Sequence, residues 1–310
     1  MDCHIIVPHL WFNTQAVEAA SFYADVFPDS RVTGTCTLRD TPGGDCELVS
    51  FTVWGEKFEA ISGGPHFSIN PSISFIVNFD PLMFGACDSA KTAATETLET
   101  VWAKLIEGGQ IMMPLDTYPF CEKYGWVQDK YGVSWQLILT RPEGDPRPGI
   151  VPAMMFTGPN FRKAEAARTF YLEVFRHSKA GGLRHFGPGM EPNEEGTVMF
   201  SDLALDGTWI AMMDSPNIHD FNFNEAVSFM VYCQDQAEVD HYWQALNATP
   251  DGGQCGWLKD QYGVSWQIVP AVMHEMLYTG SQAQVDRMMR VALTQKKFDI
   301  AALESAFHGN

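Results

Sequence analysis

Gly125-Trp126-Val127-Gln128-Asp129-Lys130-Tyr131-Gly132-Val133-Ser134-Trp135-Gln136 returns later in the chain as Gly256-Trp257-Leu258-Lys259-Asp260-Gln261-Tyr262-Gly263-Val264-Ser265-Trp266-Gln267. Two tryptophans, a tyrosine and two glycines at fixed spacing do not recur by accident, so the run marks an internal repeat. The surrounding sequence keeps step. Val7-Pro8-His9-Leu10-Trp11-Phe12 is echoed by Val151-Pro152-Ala153-Met154-Met155-Phe156, Phe22-Tyr23 by Phe170-Tyr171, and Ser74-Phe75-Ile76-Val77 by Ser228-Phe229-Met230-Val231. One domain is therefore present twice, over residues 1–140 and 150–270. A Pro/Gly-rich linker at 141–149 joins the copies, and an extension at 271–310 follows them.

Each copy carries two rounds of the same element order. In the first, the apolar run Ile5–Phe12 reads as a strand. Ala16, Ala19, Ala20, Tyr23 and Phe27 then recur at helical spacing, and Pro28-Asp29-Ser30 ends that helix. Strand-like runs at 31–38, 47–54 and 57–61 follow, separated by Gly43-Gly44 and Gly55-Glu56. A second β-α-β-β-β round takes a strand at 73–79, a helix from about Thr95 to Glu107, a turn at Gly108-Gly109 and strands ending at 133–139. The second copy repeats the plan, with helices near 164–175 and 237–246. Insertions distinguish the copies: Gly158–Phe161 in the second, and in the first an Ala/Thr-rich stretch around Phe84–Ala94 and a longer crossing from Ile111 to Tyr124. Beyond Pro270, Val285, Met288, Met289 and Ala292 line one helix face. Asp299 is placed to cap a short helix bearing Ile300, Leu303 and Phe307, and the tail reads as a structural cover.

A chain of 310 residues with 45% hydrophobic and 13% aromatic content can bury a core in each copy. The net charge of −18 argues against binding nucleic acid or an anionic membrane surface, both of which need clustered Lys and Arg. The N-terminus lacks a signal-peptide pattern, and no apolar run is long enough to span a bilayer. Seven cysteines (Cys3, Cys36, Cys46, Cys87, Cys121, Cys233, Cys255), odd in number and without a CxxC pair, suit reduced thiols in a cytoplasm. A small-molecule partner is expected, together with packing of the copies as an internal pseudo-dimer and room for further homo-oligomerisation.

Paired β-α-β-β-β modules with Phe-Tyr in the first helix and Asp-x-x-Gly before the last strand resemble the vicinal oxygen chelate superfamily of glyoxalases, extradiol dioxygenases and bleomycin-resistance proteins. Within it the chain is most similar to the PhnB-like group, often labelled 3-demethylubiquinone methyltransferase-like. The resemblance rests on Leu10-Trp11-Phe12, Phe51, Gly63-Gly64-Pro65, Gln234-Asp235-Gln236, Cys255–Asp260 and Tyr262–Gln267. It implies an α+β fold in which two modules per domain form a curled mixed sheet. Whether modules are exchanged between the copies is left open. No Gly-rich strand-to-helix turn suited to an adenosine-bearing methyl donor occurs.

The resemblance also implies where a divalent metal ion would be held. In the first copy the matching positions are His9, Glu59, Ser72 and Gln136, of which His9, Glu59 and Gln136 are the candidate ligands. In the second they are Ala153, Ala211, Ala226 and Gln267, and three alanines cannot hold an ion. Any metal chemistry is thus expected in the first domain. The pocket candidates are His9, Trp11, Glu59, Gln136 and Gln267, with both glutamine amides expected on the face opposite Trp135 and Trp266. Two functions follow: a small-molecule-binding protein of the glyoxalase/bleomycin-resistance type, or a metal-dependent lyase or dioxygenase-type enzyme acting through the first domain.

Overall fold

The computed structural model describes residues 6–41, 43–85, 89–141, 146–217, 219–249 and 252–310. Ile5, Cys3, Cys87, part of the Phe84–Ala94 stretch and residues 142–145 of the linker lie outside them. The first copy contains β1 (Ile6–Phe12), α1 (Ala16–Val26), β2 (Arg31–Thr41), β3 (Gly44–Val53) and β4 (Glu56–Ser62). Its second round is β5 (Ile73–Phe79), α2 (Ala90–Leu105), β6 (Gln110–Tyr118), β7 (Cys121–Gln128) and β8 (Ser134–Leu139). The second copy contains β9 (Ile150–Phe156), α3 (Ala164–Val174), β10 (Lys179–His185), β11 (Val198–Leu205) and β12 (Thr208–Asp214), then β13 (Val227–Cys233), α4 (Gln236–Leu246), β14 (Trp257–Lys259) and β15 (Ser265–Pro270). The tail forms α5 (Ala271–Thr279), α6 (Gln282–Ala292) and α7 (Ile300–His308).

Two segments depart from the sequence reading. The expected crossing from Ile111 to Tyr124 is mostly the β6–β7 hairpin, whose pairing shifts register three times. Alternation is broken at each shift, so a period of two is hard to see there. Helix α2 starts at Ala90 rather than near Thr95, because Ala90, Ala94 and Leu98 continue its buried face backwards.

The strands form two mixed sheets, and each draws one module from each copy. The first sheet runs β14-β15-β13-β1-β4-β3-β2, and the second runs β10-β11-β12-β9-β5-β8-β7-β6. The modules are therefore exchanged. The joints are antiparallel and equivalent: Pro8 pairs with Phe229 where β1 meets β13, and Pro152 pairs with Phe75 where β5 meets β9. The helix-bearing faces share one continuous core. Phe58 of the first sheet contacts Phe75 of the second at 5.1 Å, so modules joined in sequence still pack together through the core even though their strands pair elsewhere.

The repeated run sets a tight turn at the edge of this core. Asp260 is buried, and its Oδ1 accepts from the backbone N–H groups of Tyr262 (2.8 Å) and Val264 (3.1 Å). Its Oδ2 accepts from Trp266 Nε1 (2.9 Å) and Tyr171 OH (2.6 Å). Asp129 does the same for Tyr131, Val133 and Trp135. One carboxylate thus closes the turn, orients the indole and, in the second copy, ties down the first helix of its copy. Burial raises the pKa of both, that of Asp129 to about 6, against the opposing pull of these donors. Gly132 and Gly263, with φ of 89° and 82°, supply the left-handed residue of each turn.

Helices α1 and α4 cover one face of the first sheet. Its opposite face is covered by α5–α7, whose Met273, Met276, Val285, Met288 and Leu303, with Phe298 between α6 and α7, form a separate buried cluster with Leu38 and Val269. The tail helices are well terminated. Ser281 and Gln284 make a reciprocal capping box on α6, Asp299 accepts from Ala302 N on α7, and Gly309 closes α7 in the left-handed region. In the second sheet α2 and α3 cover one face, and among the described residues no helix packs on the other.

Candidate functional site: the cleft beneath the tail helices

Strand alternation sorts the first sheet cleanly. Leu10, Phe58, Phe229 and Trp266 point into the shared core, while His9, Trp11, Glu59, Ser228, Met230 and Gln267 point towards the tail helices. Both glutamines lie opposite their neighbouring tryptophans, Gln267 in the first sheet and Gln136 in the second. Between the first sheet and the helices lies a cavity of about 280 Å³. His9, Trp11, Trp257 and Gln267 line one end, and Leu38, Leu48, Ile61, Met230, Met273, Met289 and Phe298 form most of the remaining wall. No Asp, Glu, Lys or Arg side chain lines it.

Its aromatic end is rigid. Trp11 and Trp257 meet edge to face at 6.1 Å, and Trp257 also meets the His9 ring edge to face at 5.5 Å. Trp11 Nε1 donates to the Gly64 carbonyl at 2.8 Å. The ring lies so close over Gly63 that a Cβ there would come within 2.3 Å of it, which is why Gly63-Gly64 is needed. Gly256 serves the other end: a Cβ on it would collide with Phe298 at 2.5 Å, so the glycine of the repeated run seats a tail residue.

His9 is 2% exposed, and burial with no acidic partner holds its pKa down to about 3, so the imidazole is neutral. Glu59 is also buried, not a solvated strand-face carboxylate. Its Oε1 accepts from Ser50 Oγ and Tyr232 OH (3.4 Å) and lies 2.9 Å from His274 Nε2, while Oε2 accepts from Tyr278 OH at 3.0 Å. His274 and Tyr278 belong to α5. This carboxylate therefore fastens the tail to the sheet, and burial beside it pushes the Tyr232 and Tyr278 hydroxyls well above the usual range.

The metal expectation for the first domain must be corrected on this geometry. His9 and Glu59 are paired in register on adjacent strands, but Gln136 sits in the other sheet, where its register neighbours are Ile76 and Trp126. Its amide is engaged at both ends there: Nε2 donates to Ser74 Oγ at 2.8 Å and Oε1 accepts from Tyr124 OH at 2.6 Å. The position in register with His9 is Ser228, not Ser72, and Glu59 is already surrounded by donors. Among the described residues no group of three or more His, Cys, Asp or Glu side chains could hold a metal ion. One neutral imidazole with a committed carboxylate does not make the three-ligand set that a catalytic ion needs. The second sheet offers Ala153 and Ala211 in register with each other, with Ala153 opposite Ser74, and no imidazole or carboxylate among these positions. What sequence reasoning missed is the tail's share of the site: His274 and Tyr278 carry no spacing signal, because they reach Glu59 across more than 200 residues.

A family model described as 3-demethylubiquinone-9 3-methyltransferase matches residues 4–138 and again 148–269. The chain belongs to this family. The family match ends before α5, so the helices that roof the cavity lie outside it. Among solved structures, a putative 3-demethylubiquinone-9 3-methyltransferase, PhnB protein, from Bacillus cereus is 34% identical over 43% of this chain and 98% of its own, with a TM-score of 0.36. Glyoxalase I from Zea mays is 12% identical over 89% of this chain and 98% of its own, with a TM-score of 0.54, which shows a common tandem glyoxalase-like fold. A putative dioxygenase from Bacillus subtilis is 14% identical over 94% of this chain and 96% of its own, with a TM-score of 0.47. No curated protein matches the chain significantly. Among the described residues no helix is long and apolar enough to cross a membrane.

Proposed function

We propose that the protein binds one small, largely apolar molecule in the cleft of the first sheet, beneath the tail helices. The observation that carries this reading is the cavity itself: about 280 Å³, walled mainly by apolar and aromatic side chains, with a few polar groups such as His9, His66 and Gln267 among them. That is the usual form of a small-molecule site. A metal-dependent lyase or dioxygenase has less support, since the candidate ligands are divided between two sheets and Glu59 is committed to α5. The methyltransferase wording of the family is likewise without support here, because both sheets are mixed and their glycine pairs sit in hairpins, loops and strand β10 rather than at a strand-to-helix turn. Five described cysteines carry free thiols, which supports a reducing compartment such as the cytoplasm.

N-phenyl-1-naphthylamine, a neutral dye that brightens in apolar surroundings, tests the reading. It should bind saturably at one site per chain, and Met273→Trp, which fills the cavity from α5, should abolish that site. Dye binding that Met273→Trp leaves unchanged would overturn the assignment.

A further inference from the structure

The two repeated glutamines differ at one hydrogen bond. In the second sheet, both ends of the Gln136 amide have a partner: Tyr124 OH caps its Oε1 and Ser74 Oγ accepts from its Nε2. In the repeated run Tyr124 precedes Gly125, and the residue preceding Gly256 is Cys255. Gln267 Nε2 still donates to the equivalent serine, Ser228 Oγ, at 3.0 Å. Its Oε1, however, has no partner among the described residues, and Gln267 lines the cavity while only 6% exposed. Ser228 Oγ in turn lies 3.4 Å from His9 Nδ1. Assigning the Ser228 hydroxyl as the hydrogen-bond donor to Nδ1 puts the imidazole proton on Nε2. His9 Nε2 also has no partner among the described residues, and His9 lines the same cavity. An unmet donor and an unmet acceptor, on two residues less than a tenth exposed and both bonded to Ser228, thus belong to the lining of one cavity, which His66, Thr41 and two cysteines share with a largely apolar wall. Polar atoms that face a cavity in this state become costly when an apolar ligand fills it without pairing with them.

We propose that His9 Nε2–H and Gln267 Oε1 form a hydroxyl-recognition pair, and that the ligand class is a neutral, apolar, ring-bearing alcohol or phenol. This rests on the binding reading above. A hydroxyl is the small group that satisfies both atoms at once, accepting from Nε2–H and donating to Oε1. A carboxylate cannot donate to Oε1, and no Lys or Arg lines the cavity to neutralise it. An ether accepts but does not donate, and a bare hydrocarbon leaves both atoms unmet. A site built to hydrogen-bond a hydroxyl discriminates against analogues that lack it, because its own polar groups are then stranded.

The test is competition against N-phenyl-1-naphthylamine by 2-naphthol, 2-methoxynaphthalene, naphthalene and 2-naphthoate. For the wild-type chain 2-naphthol should compete roughly tenfold or more better than naphthalene, as one well-placed buried hydrogen bond allows, with the methyl ether between them and the carboxylate weakest. In His9→Phe and Gln267→Met, which keep the volume and remove the polar atom, naphthalene should compete as before and the naphthol preference should fall to about twofold or less. Should either variant fail to fold, the wild-type rank order alone still decides. Equal competition by naphthol and naphthalene, or naphthoate as the best competitor, overturns the hydroxyl pair while leaving the cavity reading in place. Failure of all four to displace a dye that Met273→Trp does abolish also overturns it, and loss of the dye site itself removes both readings.

Discussion

Acid should weaken this protein through His9 in a way that one substitution removes. The imidazole is buried, its folded pKa is held at about 3 against an ordinary 6.5, and the unfolded chain titrates near the ordinary value. Between those values the unfolded state binds the proton and the folded state does not, so stability falls as pH falls through 6.5 and continues to fall towards 3. At pH 5 the loss relative to pH 8 works out at about 2 kcal/mol from this single group, taking 1.36 kcal/mol per unit. Asp129 acts in the opposite sense. Its folded pKa is raised from 3.8 to about 6, so the folded state holds the extra proton, and its contribution rises as pH drops through that window. The measurement must therefore be a difference. Urea unfolding followed by tryptophan fluorescence at pH 8, 6.5 and 5 should show the wild type losing about 2 kcal/mol more than His9→Gln over that range. Parallel pH profiles for the two proteins would show that the buried imidazole titrates near its ordinary value. The neutral His9 on which the site is built would then be wrong.

Three further outcomes follow from the packing. Trp266→Ala removes a fully buried indole stacked among Tyr171, Phe175 and Phe229 and hydrogen-bonded to Asp260, and should cost about 3–5 kcal/mol by equilibrium denaturation; a cost below ~1 kcal/mol would contradict its place in the core. Glu59→Ala strips the acceptor from Ser50, Tyr232 and Tyr278 and the partner from His274. Amide exchange should accelerate across residues 271–310 while β1 and β13 stay protected, and uniform acceleration would mean that Glu59 serves the whole fold rather than the tail. Gly63→Ala should displace Trp11 from its hydrogen bond to Gly64 and weaken dye binding more than it lowers the melting temperature; unchanged dye affinity would show that Trp11 is not part of the wall.

Much of the architecture is legible in the sequence because it is local. The module order follows from periodicity, the copies from the repeated run, and the opposite facing of Gln136 and Trp135 from strand alternation. The exchange of modules is not legible. His9 pairs with Ser228 rather than Ser74, yet both serines lie in the same Ser-Phe context on the same side of their strands, and either pairing buries the same apolar faces. Local pattern specifies which face of a strand is buried and is silent about which equivalent strand lies beside it. The site was half legible for the same reason. His9, Trp11 and Gln267 could be named from their positions in the repeat, whereas the commitment of Glu59 to His274 and Tyr278 depends on how a distant helix docks.

Strand pairing across the two copies has a consequence for how the clefts can differ. Were each copy a separate chain meeting its twin, every substitution would appear in both clefts at once, and a residue useful in one would be imposed on the other. Here the halves are covalently joined, so their meeting is unimolecular and independent of dilution, and each cleft is addressed by its own stretch of sequence. That independence is visible in the chain. One sheet face has His9, an uncapped Gln267 and a helical roof; the other has Ala153, a capped Gln136 and no roof among the described residues. Fusion thus allows a symmetric scaffold to keep one site open to specialisation while its twin serves as framework.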